Sequence, residues 1–232
     1  MHLTAQDRLF VLTGAGISAE SGLATFRGSG GLWNGHRVEE VATPEAWDAN
    51  PRLVWRFYSQ RRRDALAAQP NAAHKALAKI EEKLGDRFYL CTQNVDDLHE
   101  RGGSHRVHHM HGSLYQSRCI RCNQPFADHD FYEDPNNLPT CKTCGRPIRP
   151  HIVWFGEIPL DMDAIYHELN RATTLLVVGT SGSVYPAAGF VNIANQRRIR
   201  TIYVGPEEPL NAEAFDEVIL SAATEALPNM AG

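Results

Sequence analysis

The chain predicts an α/β fold: a parallel sheet covered by helices on both faces, with a smaller lobe beside it. Three observations carry this expectation. Short apolar runs end in glycine or small polar residues, helix-length stretches separate them, and two segments break that alternation. One of the two segments carries paired cysteines at metal-ligand spacing.

In chain order, residues 9–13 form an apolar run that ends at Gly14-Ala15-Gly16, the pattern of a buried strand entering a tight turn and a helix. Residues 88–92 read as a second buried strand, 174–179 as a third, 201–204 as a fourth and 217–220 as a fifth. Between them, residues 71–84 place Ala72, Ala76, Leu77 and Ile80 near one helical face, and 161–172 and 187–198 are further helix candidates. Residues 26–63 interrupt this order with Gly28, Gly30, Gly31, Gly35 and Pro44, and a helix follows from about residue 51 to 68. Residues 115–149 interrupt it again, with a polar Pro/Asn stretch at 134–139. These insertions are expected to build the smaller lobe. The division is 1–25, 69–114 and 150–232 for the large domain, and 26–68 with 115–149 for the small one.

The second insertion holds Cys119/Cys122 and Cys141/Cys144, with eighteen residues between Cys122 and Cys141. Four thiolates fill a tetrahedral zinc site and leave no position open for chemistry, so the expected metal is structural. Redox or nucleic-acid work by such a module is the competing reading. Catalysis then has to come from elsewhere, and His111-Gly112, eight residues before Cys119, is the nearest candidate. The fifth cysteine, Cys91, sits in an apolar run and reads as a buried, inert thiol.

An odd cysteine count at metal spacing argues for a reducing compartment, and the expected location is the cytoplasm. No basic segment followed by an apolar stretch marks a secretory signal, and no apolar run approaches the ~20 residues of a membrane span. The start just before the first strand predicts a bare core without a regulatory tail. A net charge of −4 supplies no overall basic field for nucleic acid or anionic membrane.

Glycines after a buried strand let the backbone approach a pyrophosphate, and Gly14-Ala15-Gly16-Ile17-Ser18 fits that use. The run does not continue as Gly-x-Gly-x-x-Gly, and no Gly-Lys-Ser/Thr follows, so a plain tight turn competes. Two further strand ends are polar: Gln93-Asn94-Val95-Asp96-Asp97 and Gly179-Thr180-Ser181-Gly182. Ligands of open parallel sheets bind at the carboxyl ends of strands, and three polar ends suit phosphates and ribose hydroxyls. The same residues also start loops and cap helices.

Together with Thr25-Phe26-Arg27-Gly28, His111-Gly112, the cysteine quartet and Phe155-Gly156-Glu157, in this order, these runs resemble the sirtuins, NAD-dependent protein lysine deacylases. The resemblance covers about residues 9–227. It implies a Rossmann-like domain plus a small lobe made of a zinc ribbon and a helical module. It implies NAD as a consumed co-substrate, one structural zinc per chain, and acyl-lysine proteins or peptides as partners. The products are nicotinamide, lysine and O-acyl-ADP-ribose.

By the same resemblance, Gly14, Ala15, Gly16, Ser18, Phe26 and Arg27 line the NAD pocket, with Arg27 near the phosphates. Gln93, Asn94 and Asp96 hold the nicotinamide ribose and carboxamide, with Asn94 counted among the catalytic residues. Gly179, Thr180 and Ser181 hold the adenosine side. Residues Val153, Trp154, Phe155, Gly156 and Glu157 pair as a strand with the substrate peptide. Gly205-Pro206-Glu207 departs from the Asn-x-Glu of many sirtuins and leaves Glu207 as the candidate for the adenosine ribose. His111 is the general base that deprotonates a ribose hydroxyl, a step suited to an imidazole whose pKa lies near the working pH. On its own His111 is one of a run with His105, His108 and His109, and such runs are usually solvated.

Tyr58 and Arg61 share a face of the 51–68 helix at i, i+3. This pair, with Ala42, is similar to that of sirtuins that remove succinyl and malonyl groups. A guanidinium takes a carboxylate through two parallel hydrogen bonds, and a phenol adds a third donor. The plain alternative is that Arg61-Arg62-Arg63 is a solvated basic face. ADP-ribosyl transfer, NAD hydrolysis and a non-catalytic NAD-sensing module are the competing functions.

Overall fold

The computed structural model describes residues 6–25, 35–134 and 137–231. The strands are β1 (Leu9–Thr13), β2 (Phe88–Thr92), β3 (Val107–His109), β4 (Gly112–Cys119), β5 (Pro125–Ala127), β6 (Ile148–Ile152), β7 (Thr174–Val178), β8 (Arg200–Gly205) and β9 (Glu217–Leu220). The α-helices are α1 (Gly16–Ala19), α2 (Val38–Val41), α3 (Pro44–Ala49), α4 (Pro51–Ala67), α5 (Ala72–Leu84), α6 (Leu98–Arg101), α7 (Met162–Arg171), α8 (Phe190–Gln196) and α9 (Ala223–Ala231).

Six strands form one parallel sheet in the order β3-β2-β1-β7-β8-β9. The central strands β1 and β7 are buried at every position, as a strand covered on both faces requires. Leu9, Val11, Leu90, Leu176 and Ile202 pack against α5 and α9. Their alternates Phe10, Leu12, Cys91, Leu175 and Val177 pack against α7 and α8. Helix α5 begins where Asn71 Oδ1 accepts from the N–H groups of Ala73 and His74, and it stops at Gly85.

The sequence reading differs in detail. The third strand stops at Val178, because Gly179 turns out of it at φ +63°. The 187–198 helix is a 3₁₀ turn followed by α8, ended by Arg198 at φ +58°. The helix after Gly14-Ala15-Gly16 is one turn long, so its dipole adds little. Strand β3 was not expected, since three residues of a histidine run show no period.

A three-stranded antiparallel sheet, β5-β4-β6, stands apart from the parallel one and packs on α2–α4. Thr43 and Asn50 cap α3 and α4, each followed by a proline at the first helical position. A core of Trp47, Trp55, Tyr58, Leu114, Ile148, Ile152 and Trp154 joins helices to strands. Here the solvated-face reading of Arg61-Arg62-Arg63 fails. Arg62 is 1% exposed, donates to the carbonyls of Leu114 and Asp130, and faces the buried carboxylate of Asp128 at 3.5 Å. Asp128 also accepts from Ser117 and from the Tyr132 hydroxyl. Arg63 pairs with Glu133.

Arg62→Ala should therefore cost about 3–5 kcal/mol, because it leaves the Asp128 carboxylate buried without its cation. Urea unfolding of the purified variant measures this, and a loss below about 1 kcal/mol would mean that water replaces the guanidinium.

Candidate active site

The chain ends of β1, β2, β7 and β8 open on the same edge of the parallel sheet, under the small antiparallel sheet and its helices. Between them lies a cavity of about 500 Å³. Its floor is built by close backbone approach. The Gly16 N–H donates to the Gly179 carbonyl at 2.8 Å, and a Cβ at Gly16 would stand 2.7 Å from the Gly179 backbone. Only glycines permit this, and Gly179 needs its freedom twice, since its φ is +63°. Gly14 meets the same loop, where a Cβ would touch Thr180.

Asn94 is buried beside this floor. Its Nδ2 donates to the Gly14 carbonyl at 3.1 Å and to Ser18 Oγ at 3.2 Å, and Ser18 Oγ in turn donates to Asp96 at 3.4 Å. Burial raises the Asp96 carboxyl above the usual range. His109 braces the loop from behind, with Nδ1 on the Asn94 carbonyl at 2.9 Å and Nε2 on Glu100 at 2.7 Å. Burial opposes its charge, but Glu100 outweighs that and raises its pKa. Gln93 Nε2 is buried with no hydrogen-bond partner among the described residues, a donor waiting for a ligand.

His111 stands on the cavity wall just before β4. Its Nδ1 lies 3.1 Å from the Gln93 carbonyl, an acceptor only, so that nitrogen carries the proton and Nε2 keeps its lone pair. Burial depresses its pKa and the carbonyl bond offsets part of this, leaving the ring neutral at pH 7. A neutral imidazole with a free Nε2 is chemically a base.

Every described residue expected in the site lines this one cavity: Gly14, Ala15, Gly16 and Ser18; Gln93, Asn94, Asp96 and His111; Gly179, Thr180, Ser181 and Glu207; Ala42, Tyr58, Arg61 and residues 153–157. Phe26 and Arg27 lie outside the described residues. The 153–157 segment is not a strand in the chain itself. Strand β6 stops at Ile152, Gly156 takes φ +87°, and the Glu157 N–H closes a turn on the Trp154 carbonyl. The N–H groups of Val153 and Phe155 are committed to the carbonyls of His111 and Ala42. Glu157 faces Arg149 and Arg118 rather than the opening.

At the β8 end of the cavity, Gly205 leaves room for the Tyr203 hydroxyl, which a Cβ would approach to 2.3 Å and which donates to the Glu207 carbonyl. Sequence reasoning missed Tyr203 and the buried histidines under the floor. His99 Nε2 meets Thr13 Oγ1 at 2.9 Å, and His74 Nε2 lies 3.5 Å from Ser18. The signal for His74 was a histidine on an apolar helix face, three residues before Leu77.

The four cysteine sulfurs lie within 4.8 Å of one another, close to the ~3.8 Å edge of a tetrahedron of thiolates around zinc. Among the described residues this is the one cluster able to hold a metal ion. Backbone N–H groups draw Cys141 down to about 6 and lower Cys119. The neighbouring thiols of Cys144 and Cys119 push Cys122 up to about 12, as four crowded sulfurs cannot all ionise unaided.

Comparison with known proteins adds lineage to this geometry. The Sir2 family profile matches residues 14–186. An NAD-dependent protein deacylase of Escherichia coli strain K12 is 49% identical over 227 residues, covering 96% of this chain and 80% of that protein. One of Caulobacter vibrioides is 50% identical over 226 residues, covering 95% and 94%. A Sir2 homologue solved with NAD superposes with a TM-score of 0.89 at 43% identity, covering 98% of this chain and 89% of that one. A Sir2 variant solved with deacetylated p53 peptide and 3′-O-acetyl ADP-ribose gives 0.83 at 31%, covering 96% and 92%.

The two hydrogen-bonded histidines should separate on titration. Followed by NMR, His111 should change protonation below pH 6.5, since burial favours its neutral form, and His109 above it, since Glu100 favours the cation. A reversed order would contradict the neutral, buried state assigned to His111.

Proposed function

The chain belongs to the Sir2 family, and from that premise we propose that it strips succinyl and malonyl groups, and acetyl groups as well, from protein lysines. Its general activity is that of an NAD-dependent protein deacylase acting on acyl-lysine. The observation that carries the finer reading is a single cavity with polar strand ends at one side, His111 on its wall, and Tyr58 and Arg61 at its small-lobe wall. Arg61 is 7% exposed and stands within the field of Asp96 and Asp64. Burial acts against its charge, so a ligand carboxylate between Arg61 and Tyr58 is favoured by a cation already out of bulk water.

The residues present fit NAD. Gly14, Gly16 and Gly179 leave the backbone bare where a pyrophosphate needs close approach, and the buried Gln93 Nε2 has a donor to give. When bound, NAD supplies a ribose carbon that takes the acyl oxygen as nicotinamide leaves. Asn94, fixed by Gly14 and Ser18, orients the ribose side. Asp96, whose carboxyl burial raises above the usual range, suits the carboxamide. His111 holds the catalytic proton: Nε2 takes it from a ribose hydroxyl while Nδ1–H stays on Gln93.

The small lobe, residues 26–68 and 115–149, is read as a helical module and a zinc ribbon beside the large domain, residues 1–25, 69–114 and 150–232. The four thiols support zinc in a purely structural role, and their metal-ligand spacing accords with a cytoplasmic location.

Two experiments test this. Mass spectrometry of acetyl, malonyl, succinyl and glutaryl peptides, with and without NAD, should show acyl-dependent nicotinamide release. Arg61→Met should cut desuccinylation at least about thirty-fold more than deacetylation, the loss expected for a desolvated charge pair. Equal losses would remove Arg61 as the selector. Metal analysis should find one zinc per chain, and Cys141→Ser should lose it together with the β4–β6 sheet, since binding is part of that lobe's folding energy. A metal-free, fully active protein would refute the zinc assignment.

A further inference from the structure

We propose that Trp154 is a positioning residue for acyl-group selection, acting through the hydroxyl of Tyr58. The inference rests on the acidic-acyl reading above and goes one step further into the protein. Trp154 Nε1 donates to the Tyr58 oxygen at 3.0 Å, and both side chains are buried, at 2% and 0% exposure. An indole nitrogen is only ever a donor, so the phenol oxygen is the acceptor in this bond.

A phenol O–H lies near its ring plane, in one of two positions. With the indole on one side of the oxygen, the hydrogen is turned to the other. Among the described residues nothing accepts that hydrogen. A buried donor without an acceptor is costly, and it is explained if a ligand supplies the missing oxygen. Tyr58 and Arg61 share the same cavity wall, so a ligand group that accepts from Tyr58 beside a guanidinium is a carboxylate.

The indole cannot turn away. Its backbone N–H donates to Glu157 at 2.9 Å, and Trp47 packs at 6.0 Å between ring centroids. The Arg149 guanidinium lies 3.3 Å from the Trp154 ring centroid and is held there by Glu157 at 2.8 and 2.9 Å and by the Ile152 carbonyl at 2.8 Å. A cation on the π face withdraws electron density from the indole and strengthens its N–H as a donor. In accepting that bond, the phenol becomes a better donor itself, because hydrogen bonds in a chain polarise one another. An acetyl group has no oxygen at the far end to receive this hydrogen, so the arrangement discriminates rather than binding every acyl chain alike.

The test is a steady-state panel on the full-length enzyme with succinyl- and acetyl-lysine peptides. The variants are Trp154→Phe, Tyr58→Phe, the double variant and Arg61→Met. Phenylalanine keeps one ring for Arg149 and Trp47 and removes the donor, and the Tyr58→Phe background separates that loss from the lost volume. Trp154→Phe should lower the succinyl-to-acetyl ratio of kcat/KM about tenfold, mainly through KM for the succinyl peptide. Tyr58→Phe should do the same, and adding Trp154→Phe to it should change the ratio by less than about twofold.

If Arg61→Met collapses the ratio while Trp154→Phe leaves it intact, the positioning role is overturned and the acidic-acyl reading stands. If Trp154→Phe has its full effect even without the Tyr58 hydroxyl, the tryptophan acts by packing and the proposal is wrong. If the wild type ignores succinyl peptide, or Arg61→Met does not move the ratio, the acidic-acyl reading falls and the proposal falls with it.

Discussion

The contact between Gly16 and Gly179 is the constraint on which the rest of the site depends. Two loops leaving neighbouring parallel strands meet backbone to backbone, with a 2.8 Å hydrogen bond where a methyl group would have no room. Because β1 lies between β2 and β7, drawing the β1 and β7 loops together also sets the β2 loop beside them. Asn94 then reaches the Gly14 carbonyl and Ser18, and Gln93 presents the carbonyl that orients His111. Each step is a short hydrogen bond from an element already in place, so the base inherits its position from the sheet.

Strands β1, β2, β7 and β8 were legible because they are largely buried and therefore mostly apolar, and the glycine and polar residues after them were legible as strand ends. Gly14, Asn94 and Thr180 could be found that way, whereas His111 was found by its place ahead of the cysteine pairs and by the resemblance. What was not legible came from places where tertiary context decides. Strand β3 has three residues and two histidines, and it forms because β2 offers an edge. His74 and His99 read as helix residues, and only the fold brings Ser18 and Thr13 to them. The 153–157 segment was read as substrate-pairing through the resemblance alone, and its own fold was not legible: Gly156 turns it back so that Glu157 can reach Arg149.

The three consecutive arginines show why charge runs resist reading from sequence. Successive helical residues point about 100° apart, so three neighbours sample three environments. Arg61 turns to the cavity, Arg62 enters the core against Asp128, and Arg63 lies outside with Glu133. Arg62 and Arg63 both end on residues 128–133, which belong to the cysteine-bearing insertion. Helix α4 is thereby tied to that insertion one residue beyond its cavity-facing arginine. This gives the cysteine-bearing insertion a physical route to the cavity wall: its folding sets where α4 sits, and α4 sets where Tyr58 and Arg61 point.

Gln93 and Tyr58 share a property that a purely structural account would count as a defect. Each is a buried donor whose hydrogen meets no acceptor among the described residues, and each lines the cavity. Such groups lower the stability of the folded chain by about 1–3 kcal/mol each. They are tolerable because the surroundings over-determine them: the Gln93 backbone is held by Thr13 and His111, and the Tyr58 ring by Trp154 and Phe57. A donor held rigid before its partner arrives loses no rotational freedom on binding, so the free energy withheld from folding reappears as selectivity.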